Sequence, residues 1–420
     1  MDTSDSLRLT PVAPAERLRT LDVLRGFALI GIALMNVEFF SRPMSDAGAG
    51  IGAGQAPLDW LADAFVYVFV QGKFWTLFSM LFGMGFAVMA DRAEAAGRAF
   101  TPIYLRRTLA LMAIGLLHAW LVWSGDVLFA YSLGALALLA MRRLPPLAMW
   151  LVGGLLYLSV MGLLGLAAVA TALGLDDPAA GAAQVRADVL REAEVAAYSA
   201  GTYLQACAVR LRYLGAQVGG LVALLPMVVG LFLIGAWLVR SGAIRDPDAH
   251  PVLYRRLLWV GAPLGLLLTG IGLGVSSDPV RPGEAADARD LLAMTLHMLG
   301  APLLALAYLS VVVRTVHRGP GLFDLLAPAG RMALTNYLLQ SVIGTLVFYG
   351  YGLGLWGEVG RAGQVLGVCV VLAGQVVLSH AWLARFNFGP VEWLWRAVTY
   401  LQWPRMRRAP LSAPPGVLHG

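Results

Sequence analysis

The sequence predicts an all-α fold, a polytopic transmembrane helix bundle of about ten spans with both termini cytoplasmic. Three observations predict it. Of the 420 residues, 59% are hydrophobic and 13% charged, with a mean hydropathy of +0.71, whereas soluble domains run near a quarter charged. Apolar runs of about 20 residues, the length that crosses a bilayer, recur along the whole chain. Basic residues gather in alternate loops between those runs, as the positive-inside rule expects of a membrane protein.

The first run, 20–40, sits in RLRTLDVLRGFALIGIALMNVEFF. Asp22 and Arg25 lie within its entrance, three apart, so they share a helix face and can pair. Asn36 follows Arg25 by eleven residues, about three turns and about 16 Å along the axis, on roughly the same face. Charges at that depth are costly and usually face a protein interior or a wet cavity, so this helix carries a polar stripe into the bundle. The second run, 66–90, overlaps PLDWLADAFVYVFVQG at 57–72, which could instead lie at the surface before a shorter span from Lys73. Runs 106–124 and 126–141 are separated by a very tight turn holding Asp126, and the fifth run is 147–173.

An external segment, 174–218, follows. Within it AAQVRADVLREAEVAAY, 182–198, alternates charge at helical spacing, as an amphipathic helix that covers a site from outside or lies on the membrane. Runs 219–239, 258–276, 290–313, 332–350 and 363–385 complete the set. FNFGPVEWLWRAVTY then pairs Glu392 with Arg396 at i,i+4 among interfacial tryptophans, as a membrane-surface helix. The chain divides into a cytoplasmic segment 1–19, transmembrane regions 20–218 and 219–405, and a disordered cytoplasmic tail 406–420.

Formal charge is +6, and Lys73 is the single lysine. Arginines at 17–19, 92–107, 142–143, 240–256, 314–331 and 405–408 occupy one set of loops. Loops 41–57, 174–200, 277–289 and 351–362 are poor in basic residues or acidic on balance. The positive charge therefore reports loop topology in the inner, cytoplasmic membrane rather than nucleic-acid binding. The N-terminus lacks the pattern of a cleaved signal peptide. Cys207 and Cys369 stand far apart in apolar surroundings, which argues against a disulfide, and no residues show metal-ligand spacing. The bilayer is the first partner; a homo-oligomer is compatible with the sequence.

Several polar residues fall inside the apolar runs. His118 and Asp126, eight apart, can face each other if the turn folds the fourth helix back; a carboxylate beside a histidine orients it as a general base. The alternative is that His118 bonds a neighbouring helix and Asp126 caps the next one. Lys73 could hold an anionic group or act as a snorkelling interfacial anchor, the better-supported of the two. Asn336 and Gln340, four apart, put two amides on one face, a common means of binding helices together. His297 and His380 read as lone structural histidines.

RLRTLDVLRGFALIGIALMN, KFWTLFSMLFGMGF, RRTLALMAIGLLHAWLVWSGDVLFAYSLGALALL, GRMALTNYLLQS and FNFGPVEWLWR, in that order, resemble the YeiB-like membrane protein family. The resemblance covers nearly the whole chain and places a domain of unknown function at about 225–405. The LDVLRG motif, with a polar residue eleven after its arginine, is also similar to two groups of transmembrane acyltransferases. These are the O-acetylating acyltransferase family three and the heparan-glucosaminide N-acetyltransferase type. That similarity implies acyl-CoA, acetyl-CoA first, as cytoplasmic donor substrate and a small-molecule, lipid or glycan acceptor at the outer face. Arg25 matches the motif arginine. Asn36 stands where family three has its histidine, and Ala47 stands where the heparan type has its own. A base must then come from elsewhere, and His118 with Asp126 is the candidate pair.

The favoured expectation is a membrane acyltransferase. In it His118 and Asp126 are catalytic, Arg25 and Asn36 bind the donor, and Lys73, Asn336 and Gln340 bind substrate. A secondary transporter or exporter, and a non-catalytic scaffold whose polar residues join helices, are the alternatives.

Overall fold

The computed structural model describes residues 18–408 apart from 49, 53, 176–177 and 278–284, with the side chains of 178–180 also left aside. Most of the segment 1–19 and most of the tail 406–420 thus lie outside the described residues. Those described form helices and turns, with an isolated backbone bridge between Phe386 and Arg407. Eight helical stretches among them are long and apolar enough to cross a membrane, and two shorter apolar helices bring the bundle to about ten.

From the arginine-rich end, α1 (Arg19–Ser41) runs to the opposite end. The return path is α2 (Pro57–Phe69) and α3 (Lys73–Ala95), broken at 70–72, where Gly72 takes φ 77°. A left-handed residue is nearly free for glycine and costly for others. Residues 57–69 are therefore a separate helix. Helices α4 (Phe100–Leu121) and α5 (Leu128–Ala140) form a tight hairpin, and α6 (Pro146–Ala172) crosses back.

The helix α7 (Pro178–Ser199) lies at the far end and leads into α8 (Tyr203–Arg240). The latter starts at Tyr203, not near 219, because Thr202 and Gln205 form a capping box, which satisfies two orphan N–H groups at its first turn. Arg210 and Arg212 break the apolar pattern there and hide the helix from a hydropathy reading. Next come α9 (Pro251–Arg256), a π-turn, α10 (Ala262–Val275) and α11 (Ala288–His317). The short α12 (Ala327–Arg331), α13 (Ala333–Phe348), α14 (Arg361–Arg385) and α15 (Pro390–Tyr400) complete the chain. The main core gathers around α3 and α8, where Phe82 stacks on Phe232 at 4.6 Å.

Rather than only resting on a membrane, α7 is strapped to the bundle. Arg191 makes a forked ion pair with Asp46 at 2.7–2.9 Å. Glu194 accepts the Met44 N–H at 3.1 Å, and Tyr198 stacks on Tyr349 at 4.3 Å. Burial pushes the Glu194 carboxyl up to about 7; the Met44 hydrogen bond and Arg191 oppose the shift, and Asp46 adds to it. The docked helix then binds a proton more tightly than the released one. Its stabilisation is complete below the ordinary carboxyl pKa and is lost as pH rises through about 7. Amide hydrogen exchange across α7, corrected for intrinsic rates, is expected to be faster at pH 8 than at pH 5. The Glu194→Gln variant should show little of that difference.

Candidate functional site

A cavity of about 270 Å³ lies within the bundle toward its arginine-rich end. Arg25, Arg92, Arg107, Arg331 and Arg396 line it against two carboxylates, Asp22 and Glu392. Five guanidinium groups make this a cationic, partly apolar chamber, suited to phosphate or carboxylate oxygens. Arg25 Nη1 donates to Asp22 at 2.9 Å, which leaves the rest of its fork for a ligand. Arg107 lies over the Trp395 ring at 3.6 Å, and the Trp395 indole donates to the Arg107 carbonyl at 2.8 Å. Glu392 accepts the N–H groups of Leu334 and Thr335 at 2.7 and 3.0 Å. It thus caps α13 from another helix. Burial raises its carboxyl above the ordinary range while those bonds pull it back.

The arginines are placed by a close helix crossing. A Cβ on Gly330 would sit 1.8 Å from the Asp22 carbonyl oxygen, and one on Gly26 2.1 Å from that of Leu326. Backbone touches backbone here, so α12 is locked onto α1 and Arg331 is set beside Arg25. Gly330→Ala is expected to cost about 1–3 kcal/mol, the usual penalty of overpacking. It should appear as a lower thermal midpoint in detergent together with weaker anion binding.

Leu111, Leu128, Tyr131 and Tyr337 form the deep end of the cavity. Behind Tyr337 stands the predicted pair. His118 Nδ1 is 2.7 Å from Asp126 Oδ2, and both side chains are almost fully buried. The approach is local in origin. A Cβ on Gly115 would meet Phe129 N at 2.6 Å, so α5 folds closely onto α4 one turn before His118. Asp126 Oδ1 caps α5 by accepting from Leu128 and Phe129 at 2.8 and 3.2 Å. Its other oxygen takes the histidine and, at 3.4 Å, the Tyr337 hydroxyl. One carboxylate therefore both caps α5 and contacts the histidine. An Nδ1–H held by Asp126 leaves Nε2 as the basic nitrogen, and Nε2 is buried without a partner.

The other predicted residues are not brought to this cavity. Asn36 is buried on α1 beyond Leu29 and Ile32, which pack with Leu111, Leu128, Leu334 and Tyr337 at the deep end. Lys73 is fully buried and so is no interfacial anchor. Its amine donates to the Tyr67 carbonyl at 3.0 Å and lies 3.3 Å from His297 Nε2, at the break between α2 and α3. Asn336 donates to the Ala329 carbonyl and Ser379 Oγ, both at 3.1 Å. Gln340 donates to Gln375 at 2.9 Å, and Gln375 to the Asn336 carbonyl at 3.0 Å. These amides join α13 to α14. His380 is exposed and bonds its own helix.

The chain matches the family model "Protein of unknown function (DUF418)" over residues 238–402. It is 36% identical to YxaH of Bacillus subtilis over 416 residues, covering 94% of this chain and 97% of that protein. It is 35% identical to YeiB of Escherichia coli over 399 residues, 91% and 96% of the two chains. The chain belongs to the YeiB-like family. A 39.9 kDa protein from Bacillus acidopullulyticus is 26% identical over 93% of the YeiB-like chain and 96% of its own length. No solved structure matches.

Two groups in the YeiB-like chain receive no role from sequence. Tyr337 links the cavity to the His118–Asp126 pair, yet in GRMALTNYLLQS it is only one of the polar residues at the entrance to the ninth span. Arg107 and Arg331 count there as topology markers, because nothing local distinguishes a loop arginine from one folded inward. The third omission is an ion cluster at the opposite end. Arg361 meets Glu38 at 3.2 Å and Asp63 at 3.1 Å, its side chain 2% exposed. The sequence signal was Glu38, an acid within the last turn of an apolar run.

Proposed function

We propose that this YeiB-like protein is a membrane acyltransferase that takes an acyl group from acyl-CoA on the cytoplasmic side and transfers it to an acceptor hydroxyl or amine reached from the other. The supporting observation is the arginine-lined cavity whose deep wall, Tyr337, holds the carboxylate that orients His118. Arg25, with the neighbouring arginines, binds the phosphates of the donor, and the apolar middle of the cavity takes its thioester arm. His118 Nε2 removes the acceptor proton as the new bond forms at the acyl carbon. The carbon–sulfur bond then breaks, and the proton passes to the departing thiolate. Asp126 stabilises the transient imidazolium.

The test is transfer of label from acetyl-CoA to envelope lipid or glycan in membranes containing the protein, alongside acetyl-CoA binding to the purified chain. Arg25→Gln should weaken donor binding by about 10-fold or more, the value of one charge-assisted hydrogen bond. Wild-type protein that binds no acyl-CoA would end the proposal.

One observation favours a transporter instead. The break between α2 and α3, with Lys73 and His297 buried beside freed carbonyls, resembles the discontinuous helices of secondary transporters. Solute flux driven by an ion gradient and independent of acyl-CoA would establish that role.

A further inference from the structure

Six buried polar atoms cluster around the turn that joins α4 to α5, none with a hydrogen-bond partner outside the set, Ser124 and Tyr198 facing each other within it. They are His118 Nε2, Trp123 Nε1, Ser124 Oγ, Glu194 Oε1, Tyr198 Oη and Arg210 Nε, on residues each no more than 4% exposed. They sit on three packed elements. The Trp123 backbone N–H donates to the His118 carbonyl at 2.9 Å. Arg210 of α8 donates to the Leu121 carbonyl at 2.8 Å, just before the turn, and Gln217 of α8 donates to the Ser124 carbonyl at 2.9 Å. Glu194 and Tyr198 lie one turn apart on α7, and Tyr198 faces both Ser124 and Arg210. A buried donor or acceptor left without a partner costs about 1–3 kcal/mol, so such a convergence is maintained where a ligand or bound water answers it.

We propose that these groups form a binding site for a small, neutral, hydroxyl-rich molecule admitted at the arginine-poor end, with α7 as its cover. The chemistry of the six atoms selects that class. Trp123 Nε1 and Arg210 Nε only donate, Ser124 and Tyr198 do both, and His118 Nε2 accepts. Glu194, its carboxyl pushed up to about 7 by burial, serves in either sense near neutrality. A ligand bearing several hydroxyls both donates and accepts, and so satisfies a mixed set. A phosphate offers mainly acceptors and would confront Glu194. A quaternary ammonium offers neither donor nor acceptor. The cover is held by the Arg191–Asp46 pair, the Glu194–Met44 bond and the Tyr198–Tyr349 stack, polar or stacking ties that can part without unfolding a span. If the acyltransferase reading holds, this site presents an acceptor hydroxyl to the free nitrogen of His118. The binding statement stands without it.

The test uses Ser124→Cys in a chain carrying Cys207→Ala and Cys369→Ala, labelled in vesicles with a membrane-impermeant methanethiosulfonate. A Val185→Cys control on the exposed face of α7 marks the relevant side. Ser124→Cys is expected to label from the side that labels Val185→Cys. Methyl glucoside should slow that labelling at least 3-fold, while tetramethylammonium and inorganic phosphate leave it unchanged. Adding Trp123→Phe should remove the protection. Absence of labelling from that side, or protection by either ion in place of the glucoside, overturns the proposal. Should the cysteine variant fold poorly, equilibrium dialysis of labelled methyl glucoside against the wild-type chain and Glu194→Gln decides, with binding expected for the former and at least 5-fold weaker for the latter. Neither experiment contains an acyl donor, so a failure here is separate from a failure of acyl transfer.

Discussion

His118→Gln is expected to lower acyl transfer by about 10²–10⁴-fold, the usual contribution of a positioned general base. Donor binding should be unchanged, because His118 stands behind the cavity wall and not among its lining residues. Asp126→Asn separates the two duties of the carboxylate. The amide oxygen can still cap α5 through Leu128 and Phe129, so the protein should keep its thermal midpoint, whereas the histidine loses the charge that orients it. A rate loss with intact stability is expected for Asp126→Asn, and a loss of both for Asp126→Ala, since removing a cap costs about 1 kcal/mol. Transfer of label by His118→Gln at the wild-type rate would remove the histidine from the chemistry.

Arg361→Leu is expected to give the largest loss of stability among single substitutions at the far end. The guanidinium holds Glu38 of α1 and Asp63 of α2, and it also donates to Gln364 at 3.1 Å. Removing one partner of a buried ion cluster costs about 3–5 kcal/mol, because the remaining charges stay desolvated. Here two carboxylates would be left together, with the half-exposed Arg42, 3.2 Å from Glu38, as their remaining cation. The expected readouts are a depressed thermal midpoint in detergent and faster proteolysis in the 42–56 loop that α2 anchors. Combining Glu38→Gln and Asp63→Asn with Arg361→Leu should recover most of the loss. Failure to recover would place the effect in the packing of α14 rather than in the charges.

Much of this architecture was legible because lipid imposes a coarse rule that hydropathy reads directly. The spans around α1, α6, α11 and α14 needed nothing beyond their apolar length. The α2–α3 break was half visible, since 57–72 carried its own amphipathic pattern, but Gly72 alone could not say whether the chain bends or runs straight. The start of α8 was lost for the opposite reason. Two arginines in its first turns outweigh the capping box in any average, and it took the packing of Arg210 among tyrosines to place it. His118 and Asp126 were found because a tight hairpin fixes their approach within eight residues. Arg25, Arg107 and Arg331 come together only through long-range helix crossings, and spacing along the chain does not encode those. Asn336 and Gln340 show the converse limit: amides in a membrane helix read alike whether they touch a substrate or another helix.

The shortness of α5 has an electrical consequence. Its 13 residues span about 20 Å, against a hydrocarbon core about 30 Å thick. The cavity reaches its first residue, Leu128, and the polar turn bearing Asp126 begins immediately beyond. Between the cavity's deep end and that polar turn lie little more than Tyr337 and the side chains packed around it, with the turn itself buried under α7 and α8. A voltage across the membrane falls over the packed protein beyond the cavity, and a whole charge crossing the full drop at 100 mV changes energy by about 2.3 kcal/mol. A proton relayed through His118 would travel through a large share of that drop, so the turnover of this centre should respond to whether the cell is energised.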